Sequence, residues 1–210
     1  MAAGRMTPAE GLSFGLALCI ASFYLMAGFV NFLAAFLALA GIVYYVFLYS
    51  ILLKKATVQN IVIGGVAGAM APVGMWAAAT GSLDVTPWTL FLIIFFWSPP
   101  HFWALSLTRR QEYARAEIPM LPVVYGGPAA RLTIFLYSVQ LVALTLLLPG
   151  IGMASSVYLV AAVALGAVFV QMAWGLLRLG GARRAWALYR YSSIYLALIF
   201  GAMVIDVLVR

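Results

Sequence analysis

The sequence predicts an all-α, polytopic helical bundle in a membrane. Of its 210 residues, 66% are hydrophobic and only 8% are charged, against roughly 45–50% apolar and about 25% charged in an ordinary soluble domain. Seven stretches approach the ~20 apolar residues that cross a bilayer as a helix. The basic residues fall in alternate loops between those stretches. Together these exclude a soluble enzyme, a nucleic-acid-binding domain and a disordered chain. The net charge of +7 then reads first as cytoplasmic loops.

The predicted spans are 11–29, 31–53, 60–80, 87–108, 130–148, 154–178 and 191–209. The first has only Arg5 ahead of it and a long apolar run, so it reads as a true span and not as a cleaved signal. The single Cys19 lies in an apolar run and excludes a disulfide within one chain. Arg5, Lys54, Lys55, Arg109, Arg110, Arg115, Arg131, Arg178, Arg183, Arg184 and Arg190 mark one side. Gly28–Asn31, Gly81–Thr86 and Pro149–Ser156 carry no Lys or Arg. The N-terminus and the basic loops are therefore expected in the cytoplasm, with only Arg210 opposite.

Lys54 and Lys55 close the second span, and Asn60 opens the third. Such lysines either snorkel to lipid headgroups or, beside a helix N-terminus, suit a phosphate or diphosphate. Gly64, Gly65, Gly68 and Ala69 form small-xxx-small pairs for close helix packing, and Pro72 is expected to kink the span. The fourth span carries Trp97-Ser-Pro-Pro-His-Phe-Trp103. Pro99 and Pro100 are expected to break it, with a second helical piece starting there. If that piece runs on, His101, Leu105, Thr108 and Glu112 share a face, with His101 roughly 16 Å deeper than Glu112. His101 is the only histidine. An intramembrane His either serves a cavity or hydrogen-bonds a neighbouring helix. Glu112 and Glu117 lie among arginines; they are either surface ion pairs or carboxylates for Mg²⁺, which takes one or two of them and completes its shell with substrate phosphates.

Four ordered segments carry a resemblance: Tyr49-x4-Lys54-Lys55-x-Thr57-x2-Asn60, Asn60-Ile-Val-Ile-Gly-Gly-x-Ala-Gly-Ala69, Trp97-Ser-Pro-Pro-His-Phe-Trp-Ala-Leu105 and Glu112-Tyr-x2-Ala-x2-Ile-Pro-Met-Leu-Pro-Val123. The chain resembles the UbiA-type intramembrane prenyltransferases and, among them, the branch that farnesylates haem. The resemblance reaches the final Tyr191-Ser192…Tyr195-Leu196…Asp206 helix and is densest from Tyr49 to Val123. It implies transfer of a farnesyl group from farnesyl diphosphate to a vinyl group of protohaem IX, giving haem o and diphosphate. Mg²⁺ is the implied cofactor, with Glu112 as its ligand. Glu112, Lys54, Arg109 and Arg110 are the implied catalytic residues. Tyr49, Lys55, Asn60, His101, Trp103 and Tyr113 are the implied substrate-binding residues, and aromatic faces including Trp97 and Phe102 would shield an allylic cation. The implied setting is the bacterial inner membrane, with the site on the cytoplasmic side and haem a synthase or a terminal oxidase as assembly partners.

Two departures stand out. The family has nine spans and an Asn/Asp-rich motif after the second, whereas this chain opens at Ala3-Gly-Arg-Met-Thr-Pro-Ala-Glu10, similar to the segment just downstream of that motif. Residues 1–210 are thus expected to form one prenyltransferase domain short of two spans and one acidic motif, and to farnesylate haem slowly if at all. Glu112 also stands where many members have Asp. The alternatives are a non-catalytic fragment of such an enzyme, or a transporter with a Pro-broken span. A haem-carrying electron-transfer subunit fits poorly, since one histidine cannot make a bis-His site.

Overall fold

The computed structural model describes residues 7–209; Arg210 and the first half of the opening Ala3–Glu10 segment, with Arg5, lie outside them. Among the described residues, seven helices are long and apolar enough to cross a membrane. They are α1 (Pro8–Phe29), α2 with its continuation (Phe32–Leu53), α3 (Asn60–Thr80), α4 (Val85–Thr108), α7 (Gly126–Leu147, extended by a turn to Ile151), α8 (Ser156–Leu179) and α9 (Ala182–Val209). Two short helices, α5 (Arg110–Arg115) and α6 (Leu121–Val124), sit between α4 and α7. The described residues contain no strand. The all-α bundle and its seven spans are as the sequence predicts. The protein is integral to the membrane.

Several helix ends follow from local chemistry. Thr7 and Glu10 form a capping box at the start of α1: the Glu10 carboxylate accepts from the Thr7 N–H at 2.7 Å, and Thr7 Oγ1 accepts from the Glu10 N–H at 3.2 Å. Asp84 Oδ1 accepts from the Thr86 N–H at 2.7 Å and caps α4. Asp206, buried near the end of α9, accepts from the Ser155 hydroxyl and from the Ser155 and Tyr158 N–H groups at 2.9 and 3.1 Å. It therefore ties α9 to the N-terminus of α8. Three of the five carboxylates are thus engaged at helix starts, which leaves Glu112 and Glu117.

Helix α4 is the hub: it packs on α3, α7 and α9, while α8 closes the group against α7 and α9. The buried face of α9 reads Ala185, Leu188, Ser192, Tyr195, Ile199, Asp206, a three-four spacing that keeps one side toward its neighbours. Phe169 of α8 stacks on Tyr195 at 4.9 Å, and Thr145 Oγ1 and the Tyr195 hydroxyl share a 2.9 Å hydrogen bond. Helices α1 and α2 form an arm outside this group. Helix α1 has no buried residue and touches only α2. The arm is tied to α3 by Asn31 Nδ2 donating to the Ala77 carbonyl at 2.8 Å and by the Tyr44 hydroxyl donating to the Ile63 carbonyl at 2.8 Å.

Two sequence expectations are corrected here. Pro99 and Pro100 do not break the fourth span: α4 runs unbroken from Val85 to Thr108, with both prolines buried. Neighbouring helices on several sides hold a helix together through prolines that would disrupt an isolated one. Nor does α4 carry on to Glu112. It ends at Arg109 (φ −113°, ψ 29°), and the chain restarts as the six-residue α5, so His101 and Glu112 do not share one helical face. Pro72 lies inside α3, which is helical on both sides of it. The last helix begins at Ala182, nine residues before the apolar run at Tyr191, so Arg183, Arg184 and Arg190 are helical.

Candidate functional site

A cavity of about 510 Å³ opens where the arm meets the bundle. Its walls are Tyr45 and Tyr49 from the end of α2, Gly64, Gly65 and Gly68 from α3, Trp97, Ser98 and Phe102 from α4, Lys54 from the loop after α2 and Tyr113 from α5. The last ten residues of α2, Tyr44–Leu53, are wound as π-helix, and the Lys54 N–H donates to the Tyr49 carbonyl at 2.8 Å, five residues back. Tyr45 and Tyr49, one turn apart, bring their rings within 5.2 Å of each other. The Tyr49 ring lies directly on Gly64, where any Cβ would collide with it. Gly65 is similarly crowded by Ser98 Cβ, at 3.2 Å from the position a Cβ would take. These glycines are thus needed for the aromatic wall and for the α3–α4 approach.

The loops bring two of the predicted segments to one mouth. Lys54 and Tyr113 line the same cavity. Burial lifts the Tyr113 phenol above its ordinary 10.0, and the nearby Arg109 cation opposes that shift, so the group stays neutral and a hydrogen-bond donor at physiological pH. Arg109 Nη1 lies 3.6 Å from Glu112 Oε2, with the Glu112 side chain 67% exposed. Glu117 holds the left-handed backbone region at φ 55° and is also exposed. Lys55 and Arg110 are exposed and outside the cavity lining. Asn60 is buried at the start of α3, where its Nδ2 donates to the Lys54 carbonyl at 3.3 Å and its Oδ1 has no partner. It positions the lysine loop.

His101 is buried but does not line this cavity. Its Nδ1 is 2.7 Å from Ser192 Oγ on α9, and its ring stacks on Trp97 at 4.2 Å and lies 4.5 Å from Tyr189. Trp97 Nε1 donates to the Ser192 carbonyl at 2.7 Å. Of the two readings of His101, its position favours the hydrogen bond to a neighbouring helix, and its reach to the site runs through Trp97. Trp103 is also away from the cavity, buried edge-on against Tyr137 at 5.5 Å. Ser192, Tyr189, Tyr45 and Ser98 were not singled out as site residues from sequence. The three-four spacing of the α9 face would have pointed to Ser192.

Among the described residues no group of three His, Cys, Asp or Glu side chains lies together as a metal site. A metal held by protein groups alone does not fit them. One carboxylate, Glu112, suits a Mg²⁺ that enters already chelated by a diphosphate.

The sequence profile described as the UbiA prenyltransferase family matches residues 1–199. The chain belongs to that family. Curated relatives support the assignment. A protoheme IX farnesyltransferase of Roseiflexus sp. (strain RS-1) is 51% identical over 203 residues, covering 97% of this chain and 38% of its own. That of Chloroflexus aurantiacus is 48% identical, covering 98% and 35%. That of Azotobacter vinelandii is 47% identical, covering 98% and 69%. The chain thus spans little more than a third of the first two relatives and about two-thirds of the third. No solved structure matches it.

Proposed function

We propose that this UbiA-family chain carries the site for transferring a farnesyl group from farnesyl diphosphate to a vinyl group of protohaem IX. The observation that carries this reading is the shape of the cavity: a cation and a phenol at the mouth, aromatic rings along the wall, and glycines that let the rings in. The names of the relatives supply the substrates. In this reading Lys54 and the Tyr113 hydroxyl bind the diphosphate at the cytoplasmic mouth, with Arg109 beside Tyr113 and Arg110 adding positive charge from outside the lining. Lys55 adds to the positive field, and Asn60 keeps Lys54 in place. Mg²⁺, held by the diphosphate and the Glu112 carboxylate, would supply charge neutralisation of the leaving group.

The C–O bond to diphosphate breaks with its electron pair on the leaving oxygen. The allylic cation left behind is shielded from water and stabilised by the faces of Tyr45, Tyr49, Trp97 and Phe102. The vinyl carbon of protohaem attacks, and water adds to the resulting cation with loss of a proton, giving the hydroxyethylfarnesyl group of haem o. His101 and Trp103 support the wall from behind; His101 does so through Trp97. The setting is the bacterial inner membrane, and haem a synthase or a terminal oxidase would take the product.

The test is to reconstitute the chain in lipid nanodiscs with farnesyl diphosphate, Mg²⁺ and protohaem, then measure diphosphate release and identify the haem product by mass. Haem-dependent release with a hydroxyethylfarnesyl haem supports the reading at any rate. Release with no haem product, or a different prenyl acceptor, replaces the substrate assignment. A facilitated flux of solute without release favours a transporter.

A further inference from the structure

A second cavity, of about 170 Å³, lies at the same end of the bundle as Lys54 and on the opposite flank of α4. It is lined by Leu107 of α4, Gly127 and Arg131 of α7, Leu176 of α8, and Gly181, Ala182 and Ala185 at the start of α9. It shares no residue with the aromatic cavity. We infer that it binds a phosphate group, with the Arg131 guanidinium as its cation.

Several observations converge. Arg131 Nε is buried and has no hydrogen-bond partner. The guanidinium sits against Gly180, so closely that any Cβ there would collide with Arg131 Nη1. Gly180 and Gly181 have φ of +62° and +94°, a turn that keeps this approach open. Among the described residues no ion pair joins Arg131 to a carboxylate. Arg131 is only partly buried, but its enclosed Nε–H is left unsatisfied, which carries a cost that a phosphate oxygen in the cavity removes. Two helices, α7 and α9, begin at its wall, and the first N–H groups of a helix lack intrahelical partners.

The surroundings point to phosphate in particular. Arg184 Nη1 donates to the Gly180 carbonyl at 3.3 Å, and Arg178 lies over the Trp174 ring at 5.3 Å. With Arg183 they make the stretch from Arg178 to Arg190, which runs past the cavity, basic and free of acidic residues. Trp174 and Trp186 are both exposed, as aromatic side chains at the headgroup level are. Basic pockets between transmembrane helices on the cytoplasmic side take anionic headgroups, and a guanidinium matches two phosphate oxygens at once. The volume suits a phosphate group and excludes a prenyl chain or a macrocycle. The shared chemistry is a phosphate, brought either by an anionic lipid or from solution.

The chain reconstituted in phosphatidylcholine nanodiscs is melted with and without added phosphatidylglycerol, and in a second arm with inorganic phosphate; bound lipid is counted by native mass spectrometry. Phosphatidylglycerol is expected to raise the melting temperature and to remain bound. Arg131→Gln abolishes the rise and retains the lipid roughly tenfold more weakly, while Arg115→Gln, an exposed arginine outside this cavity, keeps both. Gly127→Leu, at a position where a Cβ meets nothing within 4 Å, fills the cavity with Arg131 intact and is expected to do the same as Arg131→Gln. A rise in the inorganic phosphate arm alone, lost in Arg131→Gln, assigns the site to soluble phosphate. Equal responses of the wild type and both cavity variants overturn the inference, as does no response to either probe.

Discussion

The arm and the bundle are equally apolar in sequence but are built differently. In α4, α7, α8 and α9 each helix turns a repeating face to its neighbours, and that face holds the polar and small residues: Ser138, Thr145, Gly166, Ser192 and Asp206. In the arm, α1 buries nothing, and Phe32–Val43 buries only Ala34 and Ala35. The bundle is closed by packing and by hydrogen bonds such as the Tyr191 hydroxyl to the Leu165 carbonyl at 2.9 Å. The arm is held to α3 chiefly at Asn31 and Tyr44. Lipid gives no hydrophobic reason for one apolar helix to join another, so contact area and hydrogen bonds decide which helices cohere. The candidate site lies where the weakly held half meets the strongly held one. Its floor is built by the packed helices α3 and α4, and its Tyr45–Tyr49 wall is carried by the π-wound end of the arm.

The largest effect that separates the two regions is a large-to-small change. Phe169→Ala in the bundle removes a fully buried ring stacked on Tyr195 and should cost about 3–5 kcal/mol. Phe14→Ala in α1, 62% exposed, should stay within about 0.5 kcal/mol. Equilibrium unfolding in mixed micelles measures both, and equal losses would erase the distinction between arm and bundle.

At the junction, Lys54→Ala should leave the melting temperature unchanged but weaken farnesyl diphosphate binding by roughly tenfold or more, since charge-assisted hydrogen bonds are worth about 1.5–3 kcal/mol. Isothermal titration reads this directly. A loss confined to stability would place Lys54 among headgroup anchors instead.

Gly64→Ala should cost about 1–3 kcal/mol, as overpacking does, because its methyl meets the Tyr49 ring. Adding Tyr49→Ala should return most of that loss. The double-mutant cycle isolates this contact; simple additivity would mean that the ring does not sit on Gly64.

The smallest effect expected is a gain. Glu117 holds φ 55°, which costs a side chain about 1–2 kcal/mol relative to glycine. Glu117→Gly should therefore stabilise the loop modestly without changing farnesyl diphosphate binding. Lost binding would show that the Glu117 carboxylate is used.

The sequence discloses these two regions unequally. Span number and the all-α class were legible, because bilayer thickness acts on composition alone. The segments around Tyr49–Asn60 and Glu112–Val123 stood out in the sequence, and both line one cavity, through Tyr49, Lys54 and Tyr113. The role of His101 was not legible, because two histidine faces look alike in sequence; only the position of Ser192 on a helix ninety residues away separates them. The continuity of α4 through Pro99 and Pro100 was hidden for a similar reason: a proline's consequence depends on what packs around it. The helices are apolar on every side, so hydrophobic periodicity could not reveal which face is buried. The small and polar residues at three-four spacing hold that information instead.

Photolabelling with a diazirine-bearing farnesyl diphosphate analogue tests the central claim most directly. Peptide mapping should place the label on the cavity wall, at Tyr45 to Tyr49, Gly64 to Gly68 and Trp97 to Phe102, and excess farnesyl diphosphate should compete it away. Label concentrated on α7 or α8, or label that farnesyl diphosphate does not displace, would contradict the account.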